Sequence, residues 1–135
     1  MKIILMKKTA LACFASLLSC STIADEYLTF FMAGQSNMDG YGYVSELPSD
    51  LVKEQDVMIF HGNGVFDNQD NGGVGKWDKL KPGHGTGFKS DGRSNTLSKR
   101  FGAELTFANA IQQQYPNKKI AIIKYAVGGT GLALK

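Results

Sequence analysis

Cysteine is nearly missing from this chain of 135 residues. There are two, Cys13 and Cys20, and both fall within the first 24 positions. If that stretch is removed, no internal disulfide can form, and thiol catalysis and cysteine-based zinc sites are excluded. Proline is scarce at three, and histidine scarcer at two, His61 and His84. An excess of charge is missing as well. The formal net charge is +3, and Lys2, Lys7 and Lys8 account for all of it. The remainder carries as many acidic as basic residues. Nucleic-acid binders draw their affinity from a basic stripe that neutralises phosphates, so the charge balance argues against that class and against a polybasic membrane patch. A neutral chain suits an uncharged ligand such as a sugar. No apolar run reaches the roughly 20 residues needed to span about 30 Å of hydrocarbon.

What the first 24 residues do contain is an address. Met1–Lys8 is basic, Thr9–Leu18 (TALACFASLL) is apolar, and Ser19–Ala24 (SCSTIA) ends on a small residue. That order marks a secretory signal peptide over residues 1–24, cleaved after Ala24, and implies a secreted or periplasmic protein. A rival reading takes Leu17-Leu18-Ser19-Cys20 as a lipoprotein signal, with a lipid anchor at Cys20.

Past Ala24 the chain alternates strand and turn. Tyr27–Ala33 (YLTFFMA) is a continuous apolar run, which reads as a strand buried on both faces. Gly34-Gln35-Ser36-Asn37-Met38 breaks it. Asp56–His61 (DVMIFH) reads as a second strand. Gly62–Arg100 holds nine of the sixteen glycines and shows no apolar period, so it reads as a long loop, pinned by Trp77. Phe101, Leu105, Ala108, Ile111 and Tyr115 recur at helical spacing, and Pro116-Asn117 ends that helix. Lys119–Val127 (KIAIIKYAV) is a third strand, followed by the turn Gly128-Gly129-Thr130-Gly131. Strand, helix, strand in that order gives parallel neighbours. The expected class is α/β, an open parallel sheet. One good helix cannot cover both faces of such a sheet. Residues 25–135 therefore read as the N-terminal part of a larger domain, cut off before its second half.

In open α/β sheets, ligands bind beyond the carboxyl ends of the strands. Three glycine-rich turns are expected there: Gly34–Met38, Gly62-Asn63-Gly64 and Gly128–Thr130. Ser36, just past a buried strand in a tight turn, is placed as an exposed nucleophile with backbone N–H groups beside it. Asp39 close by reads as a cap or a solvent-facing residue. His61 reads as a strand-end turn residue and His84 as a loop residue, and neither has a recognisable acid to orient it as a base.

Phe31–Gly40 (FMAGQSNMDG) resembles the first block of SGNH (GDSL-like) hydrolases. The closest likeness is to the GQSNM variant of the sialate O-acetylesterase-like and carbohydrate esterase family six group. Phe101–Ala108 (FGAELTFA) is similar to that group's glycine-plus-glutamate block, and Lys124–Leu132 (KYAVGGTGL) to its third block. The resemblance covers about Tyr27 to Leu132. It implies a three-layer, parallel-sheet SGNH/flavodoxin-like fold, present here as its N-terminal half. It implies a secreted serine esterase that removes O-acetyl groups from carbohydrate, of the acetylated xylan or sialic acid type, with no cofactor and no metal. Ser36 matches the nucleophile. Ser36 and Gly102 match the oxyanion hole, with Gln35 and Gly129 as further contributors. Asn37 and Trp77 are candidate sugar contacts. Two departures stand out. The third block has no Asn, and no Asp-x-x-His segment, the family's source of general base, occurs before Lys135. The expectation is an inactive fragment. The alternative is a non-catalytic carbohydrate-binding or surface protein of the same fold.

Two weaker patterns remain. Asp67-Asn68-Gln69-Asp70-Asn71-Gly72 with Asp78 partly echoes a calcium loop, but reads better as a polar loop. Gly72–Trp77 lacks the Ser/Thr and the glycine spacing of a phosphate loop, so that reading is rejected.

Overall fold

A computed structural model describes residues 25–62 and 72–129 of the protein. The elements in chain order are strand β1 (Tyr27–Gly34), the single helical turn α1 (Ser36–Asp39), β2 (Gly42–Tyr43), a 3-10 turn (Val44–Glu46), β3 (Val57–His61), β4 (Gly72–Gly73), β5 (Trp77–Lys79), β6 (Lys89–Ser90), β7 (Asn95–Thr96), β8 (Arg100–Phe101), helix α2 (Glu104–Gln114) and β9 (Lys119–Ala126).

The main sheet has the order β1-β9-β3-β5. β1 and β9 pair in parallel along their full length, from Tyr27–Lys119 to Gly34–Ala126. β3 pairs in parallel with β9 from Val57–Ile120 to His61–Lys124. β5 adds an antiparallel edge against β3. The α/β expectation stands, and the three long strands and the helix lie where the hydrophobic pattern put them. The order differs from the flavodoxin-like one, in which the first strand lies between the second and third. Here the third long strand, β9, lies between the other two.

Side chains alternate along each strand, and one parity points to the core. Leu28, Phe30 and Met32, then Val57 and Ile59, then Ile120 and Ile122 face inward together. α2 closes this face with Leu105 and Ala108, both fully buried. Phe107 meets Phe30 edge to face, with ring centres 5.2 Å apart. Each such buried aliphatic or aromatic side chain stabilises by about 1.5–3 kcal/mol relative to an exposed one. Gln55 Nε2 donates to Leu105 O and ties the segment before β3 to the helix.

The opposite parity stays open. Tyr27, Phe31, Trp77 and Tyr125 are all exposed, Phe31 by 67%. β1 is thus buried on one face and not two, because α2 is the only long helix among the described residues and it covers a single side. The described residues make two layers, sheet and helix, and no third. No helix among them is long and apolar enough to cross a membrane.

The glycine-rich stretch is better organised than its sequence suggests. β4, β6 and β7 form a small sheet, and β2 pairs with β8. Leu80 and Phe88 are its fully buried anchors. Trp77, expected as the pin, stands 43% exposed, with Val74 and Leu97 also outside the core. Residues 1–24, read as a signal segment, Asn63 and Gly64 of the second glycine turn, Asp67–Asn71 of the calcium reading and Thr130–Lys135 lie outside the described residues. Asp78 lies within β5, where its Oδ1 accepts from the N–H of Lys79 at 2.8 Å.

Candidate active site

Because β1, β3 and β9 run parallel, Gly34, His61 and Ala126 end at one rim of the sheet. β1 stops at Gly34, and Gln35 O then accepts the N–H groups of Met38 and Asp39, both at 2.8 Å. That winds Ser36–Asp39 into one turn and leaves Ser36 half-buried at its start, with Gln35 and Asn37 exposed. Gly40 closes the turn by donating to Ser36 O at 2.9 Å. Its φ of +104° is one that L side chains rarely adopt. A Cβ there would also come within 2.4 Å of Gly102 N. So the first block rests directly on the second.

The third block joins at the same place. Val127 donates to Gly34 O at 3.3 Å. The Gly128 N–H reaches the Asp39 carboxylate. A Cβ on Gly128 would lie 3.6 Å from Asp39 Oδ2 and 3.3 Å from the Tyr41 hydroxyl. Gly129 has φ +76°, and no described residue comes within 4 Å of its Cβ position. Two of the glycine corners named by the sequence, Gly34–Met38 and Gly128-Gly129, therefore meet, with Gly102 beside them; of the Gly62-Asn63-Gly64 turn, Asn63 and Gly64 lie outside the described residues.

A lysine holds them. Lys124 continues the inward parity of Ile120 and Ile122 and has no exposed surface. Its ammonium has three hydrogens and three acceptors: Asp39 O at 2.9 Å, His84 O at 2.6 Å and Glu104 Oε2 at 2.7 Å. Glu104, equally buried, accepts the Gly102 N–H on its other oxygen at 2.9 Å. One ion pair thus links the Ser36 turn, the His84 loop, the start of α2 and β9. A buried charge survives only when paired and fully hydrogen-bonded, and this one is. Sequence reading passed over Lys124. The signal was available: a lysine at an inward position of an otherwise apolar strand.

Asp39 corrects an expectation. It neither caps nor faces solvent; it is fully buried. Its Oδ2 accepts from Thr86 Oγ1 at 3.3 Å, while Oδ1 has no partner among the described residues. Burial raises its pKa above the usual carboxylate value, against the opposing pull of the Lys124 charge.

His61 and His84 are also more deeply placed than turn or loop residues. His61 stacks on Phe88 with ring centres 4.1 Å apart, and His84 lies 4.9 Å from the same ring. All four ring nitrogens lack hydrogen-bond partners among the described residues. Burial, reinforced by the Lys124 charge, pushes His61 down to about 2 and His84 down to about 3. Both imidazoles are neutral at pH 7 and sealed from any substrate, so neither is placed to act as a base.

Two other candidates need comment. The Gly102 N–H is beside the Ser36 turn as the sequence implied, but it is engaged by Glu104 Oε1 rather than free. Trp77 is not brought to Ser36. It lies on the open face of the sheet, lining a groove of about 360 Å³ with Tyr27, Thr29, Met58 and Ala121. β5 lies at the opposite edge of the sheet from β1, the strand that leads into Ser36, with β9 and β3 between them.

Comparison with known families gives a match over residues 26–134 to the family described as carbohydrate esterase, sialic acid-specific acetylesterase. No curated protein and no solved structure matches. The match covers most of the chain, and the protein belongs to this carbohydrate esterase family.

Proposed function

We propose that this member of the family supplies the nucleophilic half of an exported, SGNH-type serine O-acetylesterase acting on acetylated carbohydrate. One observation carries the reading: the Ser36 turn, Gly102 and the Gly128-Gly129 corner converge at the carboxyl rim of a parallel sheet. In this reading Ser36 Oγ attacks the acetyl carbonyl carbon, and its proton passes to a base. The carbonyl oxygen, now an anion, is received by the backbone N–H of Ser36, with Gln35 and Gly129 as neighbouring donors, while the Gly102 N–H beside them is held by Glu104 Oε1. Each well-aimed donor lowers the barrier by about 3 kcal/mol. The tetrahedral intermediate collapses, the sugar hydroxyl leaves with a proton, and water then cleaves the acetyl-serine to acetate. Asn37, exposed beside Ser36, is placed to meet the sugar.

The base lies outside the described residues, since His61 and His84 are buried beneath Phe88. An unassisted serine hydroxyl is a weak nucleophile near pH 7. The basic, apolar, small-residue order of residues 1–24 supports export.

The test combines binding and turnover on the purified 135-residue chain. An O-acetylated methyl pyranoside should shift the amide resonances of residues 35–37 and 128–129. Hydrolysis of p-nitrophenyl acetate should run no faster than in the Ser36→Ala variant. A spectrum unmoved by the ester removes the site. Turnover that depends on Ser36 would restore a base within this chain, His61 first.

A further inference from the structure

Tyr41 follows the Ser36 turn, and its main chain is held at three consecutive residues. Gly40 O accepts the Thr86 N–H at 2.9 Å. Tyr41 O accepts from Arg100 Nη1 at 2.6 Å. Gly42 pairs with Phe101 in the β2–β8 ladder. Gly40 also donates to Ser36 O, so this rigid segment is fixed to the candidate nucleophile's own turn. The ring itself is different. It is 52% exposed, a large aromatic left out of the core. Its hydroxyl crosses to the third block and lies beside Gly128.

Its neighbour Tyr43 shows what an occupied ring looks like. The Arg100 guanidinium lies 3.4 Å over the Tyr43 ring centre and donates to its hydroxyl at 2.7 Å. Among the described residues no ring or cation covers Tyr41 in that way. Of the other exposed aromatics, Tyr27, Phe31, Trp77 and Tyr125 stand on the outward parity of the main sheet and Tyr115 at the C-terminal end of α2. Tyr41 is the exposed aromatic that bridges the first and third glycine corners.

We propose that Tyr41 is the platform on which the pyranose ring of the acetylated carbohydrate stacks. This rests on the esterase reading of the same rim. A sugar presents an apolar C–H face and a polar edge. A flat, uncharged, half-exposed ring on an immobile backbone meets the first at low entropic cost, while the neighbouring corners meet the second. Stacking fixes which acetyl group faces Ser36, so Tyr41 governs specificity rather than bond breaking. A xylose-type ring and a sialic acid ring share this chemistry.

The experiment is a titration of the purified chain followed by amide resonances, with three ligands. They are a methyl O-acetyl-xylopyranoside, a methyl O-acetyl-sialoside, and ethyl acetate, which is an ester without a ring. The proteins are wild type, Tyr41→Phe and Tyr41→Ala; unchanged α2 and β9 resonances establish that each is folded. At least one acetylated sugar should shift residues 40–42 and 128. Tyr41→Ala should weaken it by about fivefold or more, and Tyr41→Phe by less than about twofold. Ethyl acetate should bind all three alike. Whichever sugar shows the Tyr41 dependence is the source of the ring. Equal sugar binding by Tyr41→Ala and wild type overturns the platform and leaves the esterase reading intact. Equal weakening in Tyr41→Phe and Tyr41→Ala overturns it too, because the hydroxyl and not the ring face would be responsible. Ethyl acetate binding with no sugar binding removes the platform alone. No binding of any ligand removes both readings.

Discussion

Lys119 and Lys124 stand five residues apart on β9, and each faces a carboxylate. Lys119 opens the strand at the amino rim, where it pairs with Asp25 and both partners are more than half exposed. Lys79–Asp56 and Lys81–Glu54 sit in similar solvent-washed pairs. Lys124 lies at the carboxyl rim, and it and Glu104 have no exposed side-chain surface at all. The residue types are the same and the consequences are opposite. At the amino rim water screens the charges, and side-chain freedom offsets what attraction remains. At the carboxyl rim nothing screens them, so the pair must be kept whole and every lone pair and proton satisfied. The lesson is that one sheet keeps its polar investment at the end where ligands bind, and merely decorates the other.

The sharpest way to break this contrast is Lys124→Met. It strands Glu104 as a buried, unpaired charge and leaves Asp39 O and His84 O without their donor. The expected loss of stability is about 3–5 kcal/mol, read by urea unfolding. Adding Glu104→Gln to that variant should recover part of the loss, since it removes the stranded charge. A Lys124→Met protein as stable as wild type would put the two rims on an equal footing.

The next effect is a pH dependence confined to the carboxyl rim. The folded-state pKa values of His61 and His84 lie below the unfolded value near 6.5, at about 2 and about 3. The unfolded chain therefore binds protons that the folded one refuses. Their contribution is intact above about pH 6.5 and declines as pH falls through the window toward those folded values. The slope is about 1.4 kcal/mol per pH unit for each histidine. Unfolding measured from pH 6.5 to 4.5 should show it, and His84→Phe should remove about half of the slope. A profile flat over that range would mean the rings are not sealed.

The smallest effect belongs to the amino rim. Lys79→Ala and Lys119→Ala should leave the unfolding midpoint within experimental scatter, in low salt and in high. A clear, salt-sensitive loss would show that this rim too is held by charge.

How much of this could be read beforehand follows from the same alternation. Apolar runs fixed the three long strands and α2, because periodicity depends only on the chain itself. The first and third glycine corners were legible for a related reason: parallel strands deliver their ends to one rim. The sidedness of β1 was not legible, because YLTFFMA reads alike whether one face or both are covered. Lys124 and His61 were legible in principle, since each keeps the inward parity of its strand, but a polar residue at such a position looks like an exception until its partners are seen. Those partners, Glu104, Asp39 O and Phe88, come from distant segments. The small sheets between Gly72 and Phe101 were hidden by glycine, which erases the side-chain pattern that strands leave in sequence. Trp77 misled for the reverse reason: its size suggested an anchor, and Leu80 and Phe88 had already filled the space.

Trp77 has one more consequence. It is the chain's only tryptophan, and its ring lies 5.6 Å from Phe60 on the outward side of the sheet. Its near-ultraviolet emission therefore reports on β5 and the uncovered aromatic surface, and is blind to events around Ser36. A quencher or a bound apolar molecule on that surface will dim or shift the light, while a ligand at the Ser36 turn, off the far edge strand, will be seen through tyrosine absorption or not optically at all.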